Sequence, residues 1–85
     1  MDTKNLKFTD ETVELVEFIG EKKFSNTQSI KTLIIEKDGK RFISLQKWWR
    51  ESTDEPWKEG KGFHLKVEEA KGLINDLDKA LNRLA

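Results

Sequence analysis

KRFISLQKWWRESTDEPWKEGKGF, residues 40–63, decides how the rest of the chain is read. It opens with alternating β-branched and aromatic residues, the pattern of a strand. The strand ends on Trp48 and Trp49 and passes into a polar loop that carries Trp57. Six cations surround the three indoles: Lys40, Arg41, Lys47, Arg50, Lys58 and Lys61. Two readings compete for this composition. The tryptophans can be core, with the cations solvated around them. Alternatively, the rings can be stacking surfaces for unpaired bases, with the cations holding phosphates; such stacking contributes about 1–3 kcal/mol per base. Burying three indoles beside six cations is the harder arrangement, so the stacking reading leads.

Upstream, SIKTLIIEK and KRFISLQKWW flank Asp38-Gly39, a dipeptide suited to a two-residue hairpin turn. In the second arm Ile43, Leu45, Lys47 and Trp49 share one face, and Phe42, Ser44, Gln46 and Trp48 the other. The first face begins apolar and is expected to start against the core. Trp48 and Trp49 point to opposite sides, so at least one is expected at a surface. Residues 12–20 fit a helix or a strand, and a strand with a bulge at Gly20 is the expectation. Residues 21–29 are expected to form a loop or ragged hairpin turning at Ser25-Asn26. Residues 1–11 are expected to be a flexible start, and 12–85 one domain.

Downstream, 50–61 is expected as a loop and 62–67 as a short strand with Phe63 and Leu65 on one face. Residues 67–84 carry the clearest helical period: Val67, Ala70, Ile74, Leu77, Leu81 and Leu84, widened by Leu73 and Ala80. Glu68 and Glu69 suit the positive end of the helix dipole. Gly72 suggests a close crossing with another backbone. The fold class is therefore α+β: a four-stranded antiparallel sheet followed by one C-terminal helix. Such a helix covers one sheet face and leaves the other open.

The chain has 85 residues, enough for one domain with a thin core. Hydrophobic residues are 35% and charged residues 38%. A core this thin, with no cysteine to staple it, favours an oligomer. The helical stripe can serve its own sheet and a second helix, and Ala70, Leu73, Ile74, Leu77 and Leu81 are the expected homodimer seam. With no cysteine and one histidine, neither a metal site nor a cofactor is expected. No apolar run approaches a membrane span and no signal-peptide core follows Met1, so an intracellular location is expected, without membrane contact. Sixteen basic residues balance sixteen acidic ones, which argues against a basic nucleic-acid module. The charge is unevenly placed, however: residues 22–62 hold ten Lys/Arg and six Asp/Glu.

The stretch FISLQKWWRESTDEPWKEGKGFHLKVEEAKGLINDLDKALNRL resembles the single-strand-binding domain of the positive-cofactor-four transcriptional coactivators. Its anchors are Trp48-Trp49, Lys58, Lys61-Gly62 and the strand Phe63-His64-Leu65 leading into the helix. The resemblance implies a curved four-stranded sheet, a homodimer paired through its helices, and sequence-tolerant binding of single-stranded DNA. By motif match Trp49 would stack on a base, Lys58 and Lys61 would meet phosphates, and Gly62 would allow close backbone approach. The chain departs from the family at Gln46, where an arginine is usual, at Lys66-Val67 in place of Asn-Pro, and by one residue fewer in the loop. The purine-rich-element-binding repeat shares the strand–helix order and ligand class.

The expected function is thus a non-catalytic single-stranded DNA or RNA binder acting near transcription, replication or repair, in the cytoplasm or nucleoid, or in a eukaryotic nucleus. Its expected contacts are Lys40, Arg41, Lys47, Trp48, Trp49, Arg50, Trp57, Lys58, Lys61 and Gly62. The alternative is a protein-interaction module docking a polypeptide on exposed aromatics. An enzyme is not expected: no nucleophile–base pair, phosphate-cradling loop or metal spacing is present.

Overall fold

The computed structural model describes residues 6–85. It is an α+β fold built on one curled, mixed sheet. The elements are β1 (Leu6–Lys7), β2 (Glu14–Ser25), β3 (Gln28–Lys37), β4 (Lys40–Trp49), β5 (Trp57–Leu65) and α1 (Val67–Leu84). The strand order is β1-β5-β4-β3-β2. Strands β2 to β5 form an antiparallel meander. The expected sheet of four strands gains a fifth, because β1 pairs parallel to β5.

The β3–β4 hairpin forms as the dipeptide requires. Asp38 and Gly39 have φ of 53° and 76°, and the ladder closes at Lys37 opposite Lys40. Strand β2 runs further than expected, through Glu21, Lys22 and Lys23 to Ser25. These residues have low strand propensity, but β2 is an edge strand, where lysine is well tolerated. Three register shifts interrupt it, between Leu15 and Glu17, Phe18 and Gly20, and Lys23 and Ser25. The turn falls on Asn26-Thr27, one residue beyond the expected pair. Ser25 Oγ holds it by accepting from Thr27 N at 3.2 Å.

Strand β5 begins at Trp57 and not at Gly62, so the expected loop 50–61 ends at Pro56. Burial of the Trp57 ring draws the polar residues that follow into the ladder. Gly62 permits that pairing: a Cβ there would lie 1.9 Å from Gln46 Cβ.

The core lies on the inner face of the curl. Leu33 and Ile35 are fully buried, with Trp48, Trp57 and Val13 beside them. Leu6, Phe8, Leu15, Phe18 and Phe42 pack around this cluster. Phe8 meets Trp48 edge-on, with ring centroids 5.3 Å apart. The face of β4 that turns inward is therefore Phe42, Ser44, Gln46 and Trp48, opposite to the expectation. The reason is register: Ser44 lies opposite Leu33, Phe42 opposite Ile35, and Trp48 opposite Ser29. Ser44 and Gln46 are tolerated inside because they bond each other at 2.8 Å.

Residues 1–5 lie outside the described residues. Leu6 and Lys7 pair with Trp57 and Lys58, and Thr9 N donates to Glu59. Asp10 pairs with Lys37 at 2.7 Å and accepts from Thr12. The hydrogen bond from Lys37 and those from Thr12 hold the Asp10 carboxyl well below the usual carboxylate range. This segment straps the curl through these bonds and through Leu6 and Phe8, which pack on the core.

Helix α1 matches its expected span, Val67–Leu84. Glu69 caps it by accepting from Lys66 N at 2.8 Å. No residue of α1 is buried, and Ala70 alone is even half-covered. The stripe was expected to pack partly on its own sheet, and it hardly does: Ile74, Leu77, Leu81 and Leu84 all stand in the open. No helix among the described residues is long and apolar enough to cross a membrane.

Two glycines give opposite predictions. Gly62→Ala forces β4 and β5 apart and should destabilise the fold by about 3 kcal/mol. At Gly72 an added Cβ meets nothing within 4 Å, so no intrachain crossing explains that glycine. Gly72→Ala should stabilise the helix by about 1 kcal/mol. Urea unfolding midpoints of both variants check the pair of signs.

Candidate nucleic-acid interface

Trp48 points inward and is 1% exposed, so Trp49, its chain neighbour, must point outward; it is 41% exposed. The cross-strand register sets its surroundings. Trp49 lies opposite Gln28 on β3 and opposite Lys58 on β5. Lys58 Nζ sits 4.9 Å from the centre of the Trp49 ring. Two open hollows meet at this indole. One, of about 340 Å3, is lined by Gln28, Lys47, Trp49 and Lys61 among others. The other, of about 450 Å3, is lined by Lys7, Lys58 and Trp49, and also by Glu11 and Glu59. Each hollow thus holds two lysines and shares one indole, and the second also holds two carboxylates.

Lys7, Lys47 and Lys61 are exposed and have no ion-pair partner among the described residues. Lys58 lies 3.9 Å from Glu51, a surface pair that costs little to break. Four ammonium groups around one open ring can neutralise phosphates while the ring stacks on a base.

The structure gathers Lys47, Trp49, Lys58 and Lys61 from the expected residues. It separates the others. Trp48 is sealed inside. Trp57 is 5% exposed and held by two cations, with Lys31 Nζ 3.9 Å and Arg50 Cζ 4.1 Å from its ring centre. Neither ring can stack on a base. Arg50 is a brace: its Nε donates to Asn26 O at 2.7 Å and its Nη1 to Thr53 O at 3.3 Å. Lys40 and Arg41 stand at the opposite end of β4, roughly 25–30 Å from Trp49 at about 3.3 Å per residue. Arg41 there pairs with Glu36 at 3.3 Å. Gly62 gives its close approach to Gln46 on the neighbouring strand.

Lys7 and Gln28 were missed. Neither belongs to a motif, and only strand pairing brings them to Trp49. The inner face beneath is polar and tightly bonded. Gln46 Nε2 donates to Glu59 Oε2 at 3.0 Å and to Gly60 O at 3.2 Å. His64 Nε2 lies 3.2 Å from Gln46 Oε1. Lys31 is fully buried, ion-paired with Glu21, and donates to Ser29 Oγ at 2.8 Å. Burial lowers the Lys31 pKa against the opposing pull of Glu21. For Glu21, burial acts upward, but the hydrogen bond and charge of Lys31 prevail and the net shift is downward. No group of three or more His, Cys, Asp or Glu side chains that could hold a metal occurs among the described residues.

The buried pair carries a stability prediction. Lys31→Met leaves Glu21 without its partner and uncovers one side of Trp57. It should cost about 3 kcal/mol in urea unfolding. Adding Glu21→Gln should recover more than half of the loss.

No family model, curated protein or solved structure matches the chain.

Proposed function

We propose that this chain is a non-catalytic, sequence-tolerant binder of single-stranded nucleic acid that works as a homodimer. Exposed Trp49, set between two lysine-lined hollows, is the observation that carries this reading. An indole open to solvent and ringed by ammonium groups meets the two demands of an unpaired strand, which are a π-face for the base and positive charge for the backbone. The reading places the protein inside the cell, in the cytoplasm or nucleoid or in a eukaryotic nucleus, near transcription or repair. Those processes expose single strands.

The helix supports the second half of the reading. Leu73, Ile74, Leu77, Leu81 and Leu84 lie along one stripe and are 39–87% exposed. An apolar stripe left open on an 18-residue helix lacks a partner. A second copy supplies an identical stripe, and two-fold pairing of identical surfaces is the commonest way such faces are covered. This also answers the protein-interaction reading: the partner for the apolar face is another copy, and the aromatic-cationic end is left for nucleic acid.

Titration with oligo-dT at low salt should quench indole fluorescence. If Lys7, Lys47, Lys58 and Lys61 each neutralise one phosphate, log affinity should fall against log salt with a slope of about −3. Trp49→Ala should weaken binding roughly tenfold or more while leaving the unfolding midpoint nearly unchanged. Absence of quenching at low salt rejects the reading.

Sedimentation tests the dimer separately. The unmodified chain should run at twice its chain mass and Leu77→Glu as a monomer. A monomeric unmodified chain at tens of micromolar overturns the dimer and leaves the binding claim intact.

A further inference from the structure

The chain has five Phe and three Trp, and only Trp49, Phe24 and Phe63 are exposed. Phe63 lies opposite Leu45 and shares an apolar hollow with Ile30 and Leu45. Lys47 and Lys61 line the same hollow, so Phe63 borders the Trp49 site itself. Phe24 is 61% exposed and follows Lys22 and Lys23, both exposed. Neither lysine has an ion-pair partner among the described residues. Glu21, the carboxylate nearest in sequence, is committed to buried Lys31.

The register brings Lys22 and Ser25, on either side of Phe24, into line with the Trp49 site. One row across the sheet runs Lys58, Trp49, Gln28, Ser25, and another brings Lys47, Ile30 and Lys22 into line. Phe24 is the unpaired residue between Lys23, opposite Ser29, and Ser25, opposite Gln28. A bulge of this kind re-aims a side chain at a sheet edge. Two strand spacings, about 10 Å, separate β2 from β4. An extended single strand crosses that distance in a few nucleotides.

We infer that Phe24 is a second stacking position for the same single strand, with Lys22 as its phosphate contact. The bound strand runs across the sheet from Lys58 and Trp49 to the β2 edge, and not along any one strand. This rests on the nucleic-acid reading of Trp49, and it adds a direction and a minimum length to it.

Titrations of the intact chain with a three-base and a twelve-base oligo-dT, read by indole quenching, test the inference. Phe24→Ala should weaken the twelve-base complex roughly five- to tenfold and leave the three-base complex unchanged. Phe24→Leu keeps the bulk without the ring and should behave like Phe24→Ala, while Phe24→Trp should restore affinity. Lys22→Ala should reduce the salt slope for the twelve-base strand by about 0.7. Unchanged twelve-base affinity in Phe24→Ala, with quenching intact, overturns this inference and leaves Trp49 as the site. A change in sedimentation mass with unchanged affinity also overturns it, by assigning Phe24 to a protein contact. Failure of the unmodified chain to quench overturns both.

Discussion

Side chains alternate along a strand, so two adjacent tryptophans cannot share a fate. Trp48 is drawn inward by Phe8, which meets it edge-on, and by the place its register assigns it opposite Ser29. Once Trp48 is inside, Trp49 is outside, whatever its own preference for burial. An exposed indole loses transfer free energy of roughly 1.5–3 kcal/mol, judged by other large apolar side chains. That loss is imposed by the neighbour and offset by the neighbour's burial. The open ring is therefore a consequence of how the core is packed.

Trp57 keeps the other side of the site in register. Its ring is the first anchor of β5, and Lys31 and Arg50 lie against it. Arg50 then bonds Asn26 and Thr53 through its guanidinium, so one residue ties the turn after β2 to the loop after β4. Lys58 follows Trp57 directly and so points to the opposite face, the face of Trp49. The inner surface that supports this is unusually polar, with Ser29, Lys31, Ser44 and Gln46 all buried. It holds because its bonds close on one another, from Ser44 to Gln46 to Glu59 and from Glu21 to Lys31 to Ser29. Trp48 Nε1 is the one buried side-chain polar atom without a partner among the described residues.

Where local chemistry governs, the sequence was legible. Asp38-Gly39 announced a hairpin because few other dipeptides accept two positive φ values. The period of Val67 to Leu84 announced a helix to the residue. Where pairing governs, it was not. The inner face of β4 was misassigned because Ile43 and Leu45 look more core-like than Ser44 and Gln46, and only register against Leu33 and Ile35 decides the matter. The start of β5 was hidden because Lys58-Glu59-Gly60-Lys61 has no strand propensity of its own. Lys7, Gln28 and Phe24 come to the site only through cross-strand neighbours in β5, β4 and β3. Lys40 and Arg41 looked close to Trp49 along the chain, yet a strand carries its two ends far apart.

Zero net charge is compatible with this site, because the charge that matters is local. At physiological ionic strength the screening length is about 8 Å. A phosphate lying against Trp49 is within reach of Lys47, Lys58, Lys61 and Lys7, which line the two hollows. Of the two carboxylates that line the second hollow, Glu59 is bonded to Gln46 and to Thr9 N, while Glu11 is exposed and opposes the lysines there. The helix is close to neutral, with four acidic and three basic residues, and its apolar stripe stands open. The lysines around Trp49 belong to the strands. A uniformly basic chain of this size would gain affinity for any polyanion and would oppose its own pairing. The proposed binding therefore needs no net positive charge on the chain, only lysines gathered at one end of the sheet.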